Sequence, residues 1–381
     1  MRIAVDYSAA FNQGAGIGRY ARNLVPAATG RMQDTAFSLF YAPEPDVGAR
    51  YANEATERFG TPGQVAIKRA PFDRRRADQI WFRARMPLPI EIWVGSNNLV
   101  YSPDFTAPPS LRSPSIVTVH DLAFEIVPER APDSLRRYLS AVVPRQIKKS
   151  AAIVAVSEST KHDLVRFFGV SPNRVTVIPN AADDRFFSAV PLTPVQRQSL
   201  GLPDRFLFCV GTIEPRKNHL TLFDALESIA VHQLLPLVIA GRIGWNSDGI
   251  MERAQALQRA GRVILLDYVD DRLLPRLYAS AAAVVYPSWY EGFGLPVLEG
   301  LAAGRPVIAS DVPAHREVAG DEAQLVTPGN AESIAKAIID VHDTDEPTAA
   351  EIERRRWQAR RYSWESSGAM LAQLFREVAT P

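Results

Sequence analysis

One cysteine in 381 residues excludes a disulfide framework and leaves no Cys/His spacing of the metal-ligand kind. Cys209 lies inside the apolar run Phe206-Leu-Phe-Cys-Val210, where it reads as a small buried hydrophobe in a protein of the reducing cytoplasm. No apolar stretch approaches the length of a membrane span, so any membrane contact is expected to be peripheral. Met1 runs straight into the strand-like Arg2-Ile-Ala-Val-Asp6, so no signal peptide is expected. A formal charge of +1 argues against a general nucleic-acid binder. No repeat at a solenoid period and no low-complexity segment is evident. The chain has a single D-x-D, Asp343-Thr-Asp345, between a helical pattern and Pro347. A metal-binding D-x-D would sit at a strand end, so this one reads as a solvated turn.

What is there is ordinary in composition, 46% hydrophobic and 22% charged, but too long for one hydrophobic core, so two domains are expected. The near-neutrality hides a split. Residues 1–190 carry 24 Lys+Arg against 18 Asp+Glu, and the remainder 19 against 24, which points to an acidic partner for the first half. Short apolar runs alternate with helical patterns, the mark of parallel sheets covered on both faces. In the first half the predicted strands are Ile3–Ser8, Phe37–Ala42, Val65–Ala70, Leu99–Ser102, Ile116–His120, Ile153–Ser157 and Val175–Pro179. The second half adds Phe206–Val210, Leu237–Ala240, Val263–Leu266, Ala283–Pro287, Pro306–Ser310 and Gln324–Val326. Residues 181–203 are polar, contain proline and lack a strand pattern, so the domain boundary is placed there. Helical patterns follow at Ala331–His342, Ala349–Tyr362 and Trp364–Ala379.

The most informative stretch is Trp289 to Gly304, WYEGFGLPVLEGLAAG. It follows an apolar run that reads as a strand, and Leu295 to Ala303 has helical periodicity with Pro296 in the first turn. Glu291 then falls on the strand-to-helix loop and Glu299 about one turn into the helix. Open α/β sheets bind ligands at such a strand end, and the helix N-terminus favours an anion. Backbone N–H groups of Gly292, Phe293 and Gly294 would face it, with a carboxylate for ligand hydroxyls on each side. A nucleotide sugar fits. Arg216 and Lys217, after Glu214-Pro215 at another strand end, would supply fixed cations for a diphosphate. Taken alone they read more readily as solvated loop cations, and Glu291 and Glu299 could be surface acids near a helix start. A glycosidase pair would not need the anion-friendly turn between the two glutamates. His120 ends a strand beside Asp121, a place where a histidine is as often functional as structural. Glycines 14, 16 and 18 follow the first strand, but no acidic residue is well placed after the second, which disfavours a nicotinamide cofactor.

Together these motifs resemble the retaining glycosyltransferases of family 4, which have the GT-B fold. Glu291 to Glu299 is similar to that family's E-x7-E signature and Gly211-Thr-Ile-Glu-Pro-Arg-Lys-Asn218 to its phosphate-binding loop. Ile178-Pro-Asn180 resembles its interdomain hinge, though Ala181 stands where a glycine usually follows. Thr118-Val-His-Asp121 resembles its N-domain loop and Gly14-Ala-Gly16-Ile-Gly18-Arg19 its glycine-rich first loop. The resemblance implies an α/β chain of two Rossmann-like parallel-sheet domains facing across a cleft. Residues 1–190 would form the acceptor side, completed by a terminal helix at 364–381, and 204–362 the nucleotide-sugar side.

The carried-over roles make His120, Glu291, Arg216 and Lys217 the catalytic set. His120 would position the donor sugar, Glu291 bind its hydroxyls and Glu299 the ribose. Gly16, Gly18, Gly211, Tyr268, Val269, Gly292, Phe293, Gly294 and Leu295 would complete the donor site, with no metal and no cofactor. Asp267 replaces a common glycine in the turn that recognises the base. Within the family the strings resemble bacterial mannosyltransferases and deoxysugar transferases, so GDP-mannose is the expected donor and a growing or lipid-linked glycan the expected acceptor. A nucleotide-sugar 2-epimerase and a non-catalytic glycan-binding protein share the fold and stay open; a phosphorylase would need a pyridoxal-lysine motif that is absent. Residues 64–85 hold Lys68, Arg69, Arg74, Arg75, Arg76, Arg83 and Arg85 with Trp81 and Phe82 interleaved. That segment is either an anionic-membrane contact or a solvated helix.

Overall fold

The computed structural model describes residues 1–14, 16–44, 51–59 and 63–379. They divide into two compact units. The first comprises residues 1–122, 137–180 and 362–381, and the second residues 123–136 and 181–361.

The first unit holds seven parallel strands: β1 Arg2–Asp6, β2 Ala36–Tyr41, β3 Val65–Arg69, β4 Leu99–Ser102, β5 Ser115–Val119, β6 Ala152–Ala155 and β7 Val175–Val177. Their order is β3-β2-β1-β4-β5-β6-β7. The second holds β8 Leu207–Val210, β9 Leu237–Ala240, β10 Val263–Leu266, β11 Ala283–Tyr286, β12 Val307–Ser310 and β13 Gln324–Val326, in the order β10-β9-β8-β11-β12-β13. Burial explains the order. Strands β4, β6, β9, β11 and β12 are buried at every residue, as befits strands covered on both faces. β3, largely exposed, and β13, buried at Val326 alone, lie at edges. In each sheet the winding reverses once, between β1 and β4 and between β8 and β11, and ligands of doubly wound sheets bind at the carboxyl ends of such a pair.

Two segments depart from the sequence reading. Residues 181–190, assigned to the first domain, pack with the second unit. Phe186 in the short helix Asp184–Phe187 is fully buried against Tyr278, ring centroids 5.4 Å apart, and the N–H of Leu192 donates to Ser280 Oγ at 2.7 Å. Two apolar anchors in a polar stretch decide its allegiance, and the polar average concealed them. Residues 123–136 also belong to the second unit, and there Arg130 stacks over the Trp289 ring at 4.5 Å.

The terminal helix Trp364–Ala379 belongs to the first unit, where it lies on the helix Gly16–Thr29. Gly368 lets the two backbones meet: a Cβ there would come within 2.6 Å of the carbonyl carbon of Ala27. Phe375 and Leu371 are fully buried, and Ser367 Oγ donates to the carbonyl of Pro179 at 2.8 Å. Cys209 is core, as its setting in the sequence indicates, and burial pushes its thiol up to about 12.

Candidate functional site

Strands β8 and β11 are neighbours, so two loops about 75 residues apart in sequence, beginning at Gly211 and at Pro287, leave the second sheet side by side. Backbone bonds staple them. The N–H of Trp289 donates to the carbonyl of Arg216 at 2.9 Å, and Asn218 Nδ2 donates to the carbonyl of Pro287 at 3.0 Å. Asn218 has φ +60°, a left-handed conformation that asparagine tolerates better than most residues. Its identity thus serves both the turn and the staple. Gly211 has φ +140°, and a Cβ on it would touch Lys217 Cε and Tyr286 Oη at 3.9 Å.

The two cations converge on one carboxylate. Lys217 Nζ donates to Glu291 Oε1 at 2.6 Å and also to the hydroxyl of Tyr286. Arg216 Nη1 lies 3.1 Å from Glu291 Oε2 and its Nη2 lies 2.8 Å from Glu214 Oε1. Glu291 and Lys217 are each 9% exposed and Glu214 is 1% exposed. Burial alone would push the Glu291 carboxyl up. Arg216 and Lys217 outweigh it, with a smaller share from His315, and hold Glu291 well below the usual carboxylate range. Burial and Arg216 push the Lys217 ammonium down against the pull of Glu291 and Glu214. Glu214 goes the other way, raised by burial against both cations. The cluster is a preformed mixed-charge site in which an incoming anion would compete with Glu291 for the same cations.

The helix Leu295–Ala302 starts directly behind this cluster, with Gly294 at its N-cap in the left-handed region, φ +106°, and Pro296 in its first turn. Gly292, Phe293 and Gly294 are all buried in the turn before it. Glu299 is 2% exposed and accepts from the hydroxyl of Tyr278 at 2.8 Å. Tyr278 is wedged edge-on between Phe186 and Phe208, so the Glu299 carboxylate is oriented from the core. Tyr268 and Val269 lie beyond β10; Tyr268 is exposed, with the Arg242 guanidinium over its ring at 4.7 Å.

The remaining expected residues lie in the first unit. Gly18 cannot be anything larger: a Cβ there would be 1.9 Å from the carbonyl oxygen of Gln13. Gly16 opens the helix with free space around it. Directly after β5, His120 donates through Nε2–H to the carbonyl of Pro103 at 2.8 Å. Its ring meets Tyr20 edge-on at 4.9 Å and Phe105 at 5.8 Å. Burial lowers its pKa against the pull of that carbonyl, Asp104 and Asp121, so the imidazole is neutral near pH 7. Tyr20 follows the glycine loop, which ties that loop to His120.

In the basic segment Trp81 and Phe82 are buried with Phe40, Ala70 and Ile90, and Trp81 Nε1 donates to Leu88. The interleaved aromatics are therefore core rather than a surface belt. Arg74 is turned inward to Asp6 at 3.4 Å and Asp78 at 3.5 Å. Lys68, Arg69, Arg75, Arg76, Arg83 and Arg85 remain exposed. Asp343-Thr-Asp345 is exposed just beyond a helix end. Among the described residues no group of three or more His, Cys, Asp or Glu is gathered as a metal site, and no helix is long and apolar enough to cross a membrane.

Three side chains of this region escaped the sequence reading. Tyr286 sits in an apolar run that reads simply as a strand, Tyr278 lies in a stretch that carries no motif, and His315 is a lone histidine without a motif. Only their neighbours in space distinguish them.

Two doubly wound parallel sheets, the second carrying paired cations and a glycine turn where its winding reverses, define the GT-B class of glycosyltransferases. Comparison with known proteins agrees. The model of Glycosyltransferase Family 4 matches residues 14–186, and that of Glycosyl transferases group 1 matches residues 193–362. The O-antigen chain mannosyltransferase B of Escherichia coli is 28% identical over 369 residues, 92% of this chain and 93% of that protein. The O-antigen chain mannosyltransferase RfbU of Salmonella typhimurium is 28% identical over 258 residues, 67% of this chain and 68% of its own. Among solved structures, the Anabaena protein HepE in complex with UDP and glucose superposes with a TM-score of 0.70 at 19% identity, covering 98% of this chain and 99% of that one. The chain is a family 4-like GT-B glycosyltransferase.

Proposed function

We propose that the chain is a retaining mannosyltransferase that takes mannose from GDP-mannose and adds it to a growing cell-surface glycan, free or lipid-linked. One observation carries the donor site: Arg216, Lys217 and Glu291 converge beside Gly211 and the Gly292–Gly294 turn. Two cations fixed before the reaction offset the charge that develops on a departing diphosphate, and Glu291 is left to bind sugar hydroxyls. Because fixed cations supply that charge, the reaction needs no metal. The leaving phosphate oxygen accepts the acceptor's proton on the same face, which retains configuration without a protein nucleophile. His120 binds the sugar as a neutral imidazole. Mannose as the sugar, and a surface polysaccharide as the acceptor, are supported by the names of the two O-antigen mannosyltransferases.

The protein is proposed to work in the cytoplasm, touching the inner face of the membrane through Lys68, Arg69, Arg75, Arg76, Arg83 and Arg85. Cosedimentation with vesicles containing anionic lipid, and its loss when three of these arginines become glutamine, checks that contact. Incubation with labelled GDP-mannose and a mannosylated acceptor tests the reaction. Transfer with an α-linked product supports it; inversion at C2 without transfer identifies an epimerase, and neither outcome leaves a glycan-binding protein.

A further inference from the structure

His315 lies under the glycine turn, in the helix Pro313–Ala319, and is fully buried. Its Nδ1–H donates to the carbonyl of Ser310, 2.9 Å away at the end of β12. A carbonyl oxygen only accepts, so the proton of the neutral ring is on Nδ1 and the lone pair on Nε2. That Nε2 has no hydrogen-bond partner among the described residues. The edge that carries it rests on Gly294: a Cβ there would be 2.9 Å from Cδ2 and 3.5 Å from Nε2. Gly294 caps the helix Leu295–Ala302, so the bare nitrogen is aimed at a positive helix end, where anions bind. A buried ring nitrogen without a partner calls for a reason.

The charged and titratable groups around it are Glu291, Lys217 and the phenol of Tyr286, whose ring centroid is 5.7 Å from that of His315. Burial lowers the His315 pKa, opposed by Glu291 and the Ser310 carbonyl and assisted by Lys217. The free ring is therefore neutral near pH 7.

We propose that His315 is a proton-linked donor-binding residue: when the diphosphate of the nucleotide sugar reaches the glycine turn, Nε2 takes one proton from solvent and donates it to a phosphate oxygen. The only bond formed within the protein is N–H, and the new imidazolium offsets part of the diphosphate charge. This rests on reading the Arg216–Lys217–Glu291 cluster as the donor site. Its signature is a pH dependence of affinity. The bound ring keeps its proton to higher pH than the free ring. Binding is thus strongest below the free ring's pKa, weakens about tenfold per pH unit between the two values and levels off above the bound one.

The test is calorimetric titration of the full chain with GDP-, UDP-, ADP- and dTDP-sugars, without acceptor, in two buffers of different ionisation heat at pH 7. Nucleotide sugars are phosphodiesters that do not titrate near neutrality, so protons taken up belong to the protein. The expected result is uptake of a fraction of a proton, up to one, that disappears in His315→Asn. Asparagine can keep a donor toward Ser310 but offers no second ring nitrogen. Affinity in that variant should fall about tenfold or more at pH 6, with the deficit shrinking at pH 8. If the variant does not fold, ¹⁵N shifts of the wild-type ring decide: Nε2 must pass from bare to protonated on binding. Binding with no proton uptake, or uptake unchanged in the variant, overturns the proposal and leaves the donor site standing. No binding by any of the four sugars overturns both.

Discussion

At the scale of single residues, the site turns on one carboxylate shared by two cations. Removing Glu291 leaves Arg216 and Lys217 repelling each other in a nearly dry pocket, and removing Lys217 leaves the Glu291 charge half-compensated. Either Glu291→Ala or Lys217→Ala is expected to lower turnover by ~10²-fold or more, the scale for losing a preorganised charge contact. Steady-state transfer assays check it, and unchanged turnover in both variants would contradict the donor site. The same pairing sets a pH limit on stability. Glu291 is held below its unfolded-state pKa of about 4.3, so its stabilising contribution is complete above that value and is lost as pH falls below it. Acid unfolding should therefore be less steep in Glu291→Gln than in wild type, as a fluorescence titration from pH 6 to pH 2 would show. Glu291, Arg216 and Lys217 were legible because their types, their spacing and the strand ends before them agree. Tyr286 and His315 were not, because a hydroxyl or imidazole gains its role from neighbours that no local pattern encodes.

Secondary elements were more legible than side chains. All thirteen strands lie where apolar runs place them, with ends within two residues. Central strands covered on both faces admit little but branched and aromatic residues. The small errors are systematic. The apolar runs place Ser8, His120, Ser157 and Pro179 in strands, yet each lies past the last ladder residue, where the chain leaves the sheet. Burial continues through Ser8 and Ser157 and is only partial at His120 and Pro179, so an apolar run overshoots the ladder. The glycine-rich loop after β1 offers a test at this scale. Because a Cβ on Gly18 would collide with the Gln13 carbonyl oxygen, Gly18→Ala must displace the loop from the helix it starts. We expect a loss of about 1–3 kcal/mol of stability in urea unfolding, whereas Gly16→Ala, which meets nothing within 4 Å, should cost less than half as much.

At the scale of the whole molecule, the two-sheet organisation was legible from length and alternation, but the allegiance of connecting segments was not. Phe186 and Leu192 carry residues 181–203 to the second unit against a polar average, and residues 123–136 leave the first unit with no mark in the sequence. Fixed cations make a prediction for the intact enzyme: transfer should persist in excess EDTA, and complete loss restored by a divalent ion would refute that part of the mechanism. The helix Trp364–Ala379 makes another. Truncation at Ser363 would strip cover from Tyr101, whose ring meets Phe375 at 5.1 Å. The truncated protein is expected to be largely insoluble, or to lose the first of two calorimetric transitions.

That same helix sets a timetable for synthesis. The first sheet is complete once Val177 has left the ribosome, yet the segment that closes it emerges only after Ala181–Arg361 have been translated. At 5–20 residues per second this wait is roughly ten to forty seconds. During it the apolar surface that Leu371 and Phe375 cover in the folded chain stands open to solvent.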